Sequence, residues 1–395
     1  MEAVALTDRG AAQVRAGRPW IWRTEVARAP AHLPPGPVRV TDRRARVLGG
    51  ALWATRSPIA LRMVQAGADA PPWDRALLAS RLQAALARRR QLYGPAADAY
   101  RVVHAEADQI PGLLVDRYAD LAVVQIGCEA LDQDESGVLS CVRELLAPRA
   151  LVLRNDGSLR DFESLPRSPP RLVHGDSARA HFHEGAIGFE IDALADAKTG
   201  AFLDQRENHL HVASYARGVG RALDLFTYQG GFALQLAHAG VEEVLAVDES
   251  AAAATRAREN AERAGLAGRI KVRIGNAWEE LRRLEAAGER FDLVVLDPPA
   301  LAKRRGPLAA ATRAYRELNQ RALRLLRSEG ILVTCSCSAR LQRDAFGALL
   351  AQAAAAAPAA LQILEQRGAG RDHPELAGAP ETAYLKCWIC RALKA

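Results

Sequence analysis

From residue 191 onward, short apolar runs alternate with segments whose apolar residues recur at helical spacing. The runs Leu223–Phe226, Val244–Val247, Ile270–Ile274, Leu293–Leu296 and Ile331–Thr334 predict strands. Ser250–Ala264 reads as one of the intervening helices, with Ser250 as N-cap and Gly265 as terminator. Strand alternating with helix predicts a parallel, doubly wound sheet. Such a sheet binds its ligand outside the carboxyl ends of the central strands. Two further strands, Leu361–Leu364 and Tyr384–Cys390, close the pattern, and the alanine stretch 353–357 reads as a helix exterior.

Upstream the rhythm differs. Trp73–Tyr93 carries apolar residues at helical period (Leu77, Leu78, Leu82, Leu86) and ends at Gly94-Pro95. Strands at Tyr100–His104, Leu113–Asp116, Leu121–Ile126 and Leu151–Arg154, with a helix at Ser136–Leu146, make residues 73–190 an α+β segment. Residues 1–72 hold short strand-like runs at Val38–Val40, Arg46–Leu48, Leu52–Ala54 and Ile59–Val64, separated by turns and prolines. They are expected to form a small β-barrel. The expected division is therefore 1–72, 73–190 and 191–395.

Charge sharpens this division. The chain of 395 residues carries a net charge of +7, and only five of its 53 basic residues are lysine. Residues 1–72 contain eleven arginines, no lysine and five acids, which leaves +6 in that segment. A small module with this imbalance is a candidate nucleic-acid surface, since the arginine fork pairs with phosphate and base edges. Ordinary composition, 49% hydrophobic and 25% charged, excludes a disordered tail or a collagen-like fibre. The one charge-free stretch of 18 residues or more, 345–364, is half alanine and interrupted by Gln352, Pro358 and Gln362, so no membrane span is expected. The first residues lack the pattern of a signal peptide, and the six cysteines show no framework spacing. A cytoplasmic protein with reduced thiols is expected. The nine histidines show no metal-ligand spacing, so no metal is expected; Cys387-x-x-Cys390 lacks a second ligand pair.

The strand ends carry the candidate chemistry. The first runs into Asp224-Leu225-Phe226-Thr227-Tyr228-Gln229-Gly230-Gly231, whose glycines allow close backbone approach to a ligand at a helix start. It is not the dinucleotide pattern G-x-G-x-x-G. The second strand ends in Asp248, the third in Asn276-Ala277 and the fourth in Asp297-Pro298-Pro299. An acid for an ammonium, an acid for ribose hydroxyls and an amide for adenine describe S-adenosylmethionine.

The run Lys198-Thr199-Gly200-Ala201-Phe202-Leu203-Asp204-Gln205-Arg206 resembles the K-T-G-x-F-L-D-Q-R signature of bacterial 23S rRNA methyltransferases. Leu225–Phe232, Asp297-Pro298-Pro299, Ser336-Cys337-Ser338, Asp372-His373-Pro374 and Tyr384-Leu385-Lys386 match in order, and Arg18-Pro19-Trp20-Ile21-Trp22 is similar to the family's H-P-W-V-F. The chain thus resembles the large-subunit rRNA cytosine-C5 methyltransferases. The resemblance implies an α/β protein. A class I, Rossmann-like methyltransferase domain with a mostly parallel seven-stranded sheet would follow a small β-barrel PUA domain and a central α+β domain. It implies S-adenosylmethionine as cofactor and 23S rRNA as partner; a homodimer is compatible with it. Phe202, Gln205, Arg206, Asp224, Phe226, Thr227, Tyr228, Gly230, Asp248, Ser250, Asn276, Ala277 and Asp297 are the expected cofactor residues. Arg18, Trp20, Arg43, Arg44 and Arg46 are expected on the RNA face. The sequence departs from the family at Ala300-Leu301, where a basic-aromatic pair is usual, at Asn276, usually an acid, and at Asp196-Ala197 before the signature.

Carbon 5 of cytosine is too poor a nucleophile to attack a methyl sulfonium directly, so a thiolate is expected to add at C6 first. The resemblance selects Cys337 as that nucleophile, with Cys335 as second choice on the same strand face. Asp297 would hold the base's N3 or N4 edge. Asp204 and His373 are candidates for the C5 proton acceptor. Amino-group methylation usually needs an aromatic after D-P-P, and Ala300 stands there. Guanine-N7 methylation needs no cysteine after the fifth strand, and remains the alternative together with a non-catalytic RNA-binding assembly factor.

Overall fold

The computed structural model describes residues 1–302 and 306–394. Contacts divide the chain into two units. The first comprises Met1–Phe182, Ile191–Leu203 and Arg371–Pro380; the second comprises His183–Glu190, Asp204–Gly370 and Glu381–Ala395.

The first unit opens with a six-stranded sheet. Its strands are β1 (Ala3–Leu6), β2 (Trp20–Trp22), β3 (Val26–Arg28), β4 (Gly36–Thr41), β5 (Val47–Trp53) and β6 (Ile59–Ala66). They lie in the order β2-β6-β5-β4-β1-β3, with β1 and β4 parallel and the other pairs antiparallel. The runs Arg46–Leu48 and Leu52–Ala54, expected as two strands, are one: β5 continues through Gly49-Gly50. At Gly49 a Cβ would lie 2.3 Å from the Gln65 carbonyl oxygen, so the close approach of β6 requires glycine. A helix that the strand-and-turn reading omitted, α1 (Asp8–Arg15), is capped by the Thr7 hydroxyl, which accepts from Gly10 N at 3.1 Å.

The same unit contains α2 (Arg75–Tyr93), capped by Asp74 and stopped at Gly94 (φ 72°). A five-stranded sheet follows, in the order β11-β10-β9-β8-β7. Its members are β7 (Ala99–His104), β8 (Leu113–Tyr118), β9 (Leu121–Ile126), β10 (Ala150–Leu153) and β11 (Arg171–His174). Between them lie α3 (Glu129–Gln133), α4 (Glu135–Leu146) and α5 (Leu159–Phe162). The alternation Arg179–Asp192 forms a hairpin, β12 (Arg179–Glu184) and β13 (Ile187–Asp192), turning at Gly185, of which His183–Glu190 belongs to the second unit.

The second unit is a seven-stranded sheet with helices between its strands. The chain runs α6 (Arg206–Val212), β14 (Arg221–Leu225), α7 (Gly231–His238), β15 (Glu243–Asp248), α8 (Ala251–Arg263), β16 (Ile270–Ile274), α9 (Ala277–Ala286) and β17 (Phe291–Leu296). It continues through α10 (Leu308–Leu325), β18 (Leu326–Ser336), α11 (Arg343–Ala355), β19 (Ala360–Arg367) and β20 (Lys386–Leu393). The strand order is β16-β15-β14-β17-β18-β20-β19, with only β20 antiparallel to its neighbours. The order reverses at β14, so the carboxyl ends of β14 and β17 flank the switch point where such sheets bind ligands. Residues Leu223, Leu225, Leu296, Tyr315 and Phe346 belong to one buried cluster. The alanine stretch is not an exterior: Ala353, Ala354 and Ala357 are buried, and only Ala355 and Ala356 face out. Alanine fills sites where α11 packs closely, so an alanine run does not reveal which face is solvent.

Candidate active site

β14 delivers Asp224 completely buried, one residue before its end. Its Oδ2 accepts from the Thr227 hydroxyl at 2.6 Å and from Ala233 N at 3.1 Å. Its Oδ1 is buried with no hydrogen-bond partner among the described residues. Burial pushes this carboxyl up to about 7, against the opposing pull of Thr227 and His209. A buried orphan oxygen at a ligand-binding strand end is a place for a donor the protein does not supply. The loop beyond is held in unusual backbone: Phe226 (φ 64°), Tyr228 (φ 51°) and Gly230 (φ 89°) are all left-handed. Two of these are not glycine, and strain of that kind persists where the surroundings impose it.

Asp248 ends β15 and fixes this loop. Its Oδ2 accepts from Tyr228 N at 2.9 Å and its Oδ1 from Ser250 N at 2.8 Å. Ser250 caps α8, accepting from Ala253 N. Asn276 caps α9 through Trp278 N and Glu279 N, and Ala277 is buried behind it. The Phe226 and Trp278 rings meet edge to face at 5.7 Å, an apolar wall beside Asn276. The sequence reading missed Trp278, whose only local signal is its place two residues after the cap.

A second omission is the buried pair Glu184 and His209. His209 Nδ1 lies 2.8 Å from Glu184 Oε2. Burial lowers this imidazole, but Glu184, Asp297 and Asp224 outweigh it and leave it raised. The ring packs against Gly231, where a Cβ would lie 2.3 Å from it. Gln205 and Arg206 lead into α6 and are buried, while Phe202 belongs to the first unit, with the Lys198 ammonium 3.9 Å from its ring centroid.

The thiol is presented by the next strands. β17 and β18 pair in parallel with Leu296 opposite Thr334, so Asp297 and Cys335 each follow the last paired residue of their segment. Cys335 is completely buried, pairs with Cys387 of β20, and burial holds its thiol well above the ordinary range. Cys337 is half-buried, its Sγ 3.9 Å from the Pro298 carbonyl oxygen of Asp297-Pro298-Pro299. The flanking serines pin it: Ser338 N donates to Ser336 Oγ at 3.3 Å, and Ser338 Oγ accepts from Ala302 N and meets the Tyr315 hydroxyl at 3.0 Å. Asp204 is buried and accepts from the Tyr384 hydroxyl at 2.6 Å. His373 lies in the first unit, 2.8 Å from the Asp372 carboxylate and with its ring 5.0 Å from that of His104.

The arginines of the first 72 residues divide into two groups. Arg62 is buried between Glu106 and Glu163, Arg56 pairs with Glu129, and Arg46 and Arg15 converge on Asp42. Trp20 donates its indole N–H to Glu106 at 2.9 Å, and Arg18 donates to the Gly378 carbonyl oxygen at 3.2 Å. Arg43 and Arg44 are exposed on the β4–β5 turn, Arg43 with only a weak pairing to Asp8. Part of the +6 is thus neutralised by acids 40 to 100 residues downstream, which charge counting by segment did not register. Among the described residues no cluster of ligands could hold a metal ion, and no helix is long and apolar enough to cross a membrane.

Comparison with known proteins adds the following. The pattern of the S-adenosylmethionine-dependent methyltransferases matches residues 166–391, and that of a PUA-like domain matches residues 4–65. The chain is 32% identical over 385 residues to ribosomal RNA large subunit methyltransferase I of Erwinia tasmaniensis, covering 95% of both chains. It is 32% identical over 381 residues to the protein of the same name from Tolumonas auensis, again covering 95% of each. In fold it is similar to a candidate methyltransferase complexed with SAH (TM-score 0.86, 15% identity, 99% of this chain and 100% of that one). A candidate S-adenosylmethionine-dependent methyltransferase from Streptococcus mutans gives a TM-score of 0.84 at 14% identity, with the same coverage.

Proposed function

The chain belongs to the S-adenosylmethionine-dependent methyltransferases, in the group of the large-subunit ribosomal RNA methyltransferases I, and from that premise we propose that it methylates carbon 5 of a cytosine in 23S rRNA through a covalent Cys337 adduct. The observation that carries this reading is the half-buried Cys337 thiol, pinned between two serines at the end of β18 and against the Pro298 carbonyl.

When bound, S-adenosylmethionine supplies an electrophilic methyl group. The orphaned Asp224 Oδ1 fits its ammonium, the Asp248 carboxylate its ribose hydroxyls, and Asn276 with the Phe226–Trp278 wall its adenine. Asp297 would hold the cytosine edge. Cys337, as thiolate, adds to C6 and makes C5 nucleophilic. Once C5 is fully substituted, its proton leaves to a base and the thiolate departs. The target base must be unpaired or flipped for C6 to be reached. The exposed Arg43 and Arg44 are assigned to phosphate contact.

Labelled S-adenosylmethionine and unmodified 23S rRNA test this directly. Wild type should yield 5-methylcytidine and Cys337→Ala none. A 7-methylguanosine product would replace the reading with guanine-N7 methylation. No product from wild type would favour the assembly-factor alternative.

A further inference from the structure

Lys386 is 1% exposed, in the strand Lys386-Cys387-Trp388-Ile389-Cys390, whose other members are buried hydrophobics. Burying an ammonium is costly unless opposite charge or strong acceptors compensate it. Its Nζ donates to the carbonyl oxygens of Ser338 at 2.7 Å and Tyr384 at 2.8 Å. Both acceptors are neutral, and an ammonium has a third N–H. Lys386 stands opposite Ser336 in the β18–β20 pairing, so the ammonium reaches past the strand end to the residue after Cys337.

Among the described residues, a charge on Cys337 acts to raise Lys386, and Arg343 at the start of α11 acts to lower it. Tyr315 of α10 also feels the Cys337 charge. Asp297 at the end of β17 acts on Cys335, with Cys387 behind it. Burial pushes the Lys386 ammonium down to about 8, and Cys337 acts in the opposite sense.

We propose that Lys386 is a positioning residue that holds Cys337 in its thiolate form, which rests on the reading of Cys337 as the nucleophile. The S–H bond breaks with its electron pair left on sulfur, and the proton goes to solvent. Below about pH 8 the ammonium is protonated and fixed by two carbonyls. Because one N–H is anchored on Ser338 O, the same lysine also ties down the backbone one residue beyond the thiol. A lysine serving only to tie the Ser338 carbonyl would not change the titration of the thiol.

The test is alkylation of Cys337 by iodoacetamide against pH, in the full chain without RNA or cofactor, read by peptide mass at Cys337. The wild-type midpoint is expected below the ~8.5 of an ordinary cysteine. Lys386→Met should raise it by about one pH unit, roughly a tenfold slower reaction at pH 7, and Lys386→Arg should restore most of the shift. A folded Lys386→Met protein with an unshifted profile would overturn the proposal. So would a wild-type midpoint at or above ~8.5, which needs no variant to fold. Methylation surviving in Cys337→Ala would instead overturn the nucleophile reading, leaving the alkylation result to stand on its own.

Discussion

Asp224 offers the most quantitative prediction. Its carboxyl, at about 7 in the folded protein against an ordinary 3.8, takes up a proton that the unfolded chain has already lost. Stability of the cofactor-free fold therefore falls as pH rises from about 4 to about 7, by roughly 4 kcal/mol when fully charged. An ammonium placed against the orphaned Oδ1 reverses the preference and favours the carboxylate. Binding of S-adenosylhomocysteine, which carries that ammonium, must then release a proton below pH 7. Its affinity should weaken by roughly tenfold from pH 8 to pH 6. Asp224→Asn keeps the shape and removes the charge. It should flatten the stability profile between pH 4 and 7, raise cofactor-free stability at pH 8, and cost over ~100-fold in affinity at that pH. Calorimetric titration at pH 6, 7 and 8, in buffers of differing ionisation enthalpy, reads both affinity and proton release. Affinity that is pH-independent, or retained by Asp224→Asn, would refute the placement of the ammonium.

Three further outcomes follow from the same structure. Gly10→Ala should destabilise by about 1–3 kcal/mol in urea melts although alanine favours helices, because its Cβ would lie 2.9 Å from the Glu25 carbonyl oxygen; a stabilised variant would contradict this. Arg62→Met leaves Glu106 and Glu163 buried without their shared cation and should cost roughly 3–5 kcal/mol, whereas an unchanged urea midpoint would deny the pair any role. Arg43→Ala with Arg44→Ala should weaken RNA binding and lower the log–log salt slope by about 2 without changing cofactor affinity. An unchanged slope would remove the turn from the RNA face.

The second unit was legible because its central parallel strands are nearly continuous apolar runs, and Asp224, Asp248, Asn276 and Asp297 stand at or just beyond the strand ends. Boundaries slipped where polar residues enter a strand. β20 begins at Lys386 and extends to Leu393 rather than starting at Tyr384, whose hydroxyl serves Asp204 instead. Helix α1 was hidden by Gly10, a poor helix former that a tertiary contact demands. The buried pairs were beyond reach for a different reason. Glu184 lies 25 residues from His209, and Arg62 lies 101 from Glu163, and no local periodicity encodes such partners. Lys386 did carry a signal, a lone lysine in an apolar strand of an arginine-rich chain, but only the fold reveals its neighbour.

The central claim is a covalent bond between Cys337 and a cytosine. RNA carrying 5-fluorocytidine at the target leaves no C5 proton to remove after methyl transfer, so the thiol cannot depart. With S-adenosylmethionine, the wild-type protein should form a denaturant-resistant RNA complex, with the cross-link mapping to Cys337 and absent in Cys337→Ala. A wild-type protein that methylates this rRNA at cytosine yet traps no complex, or one that cross-links through another residue, would contradict it.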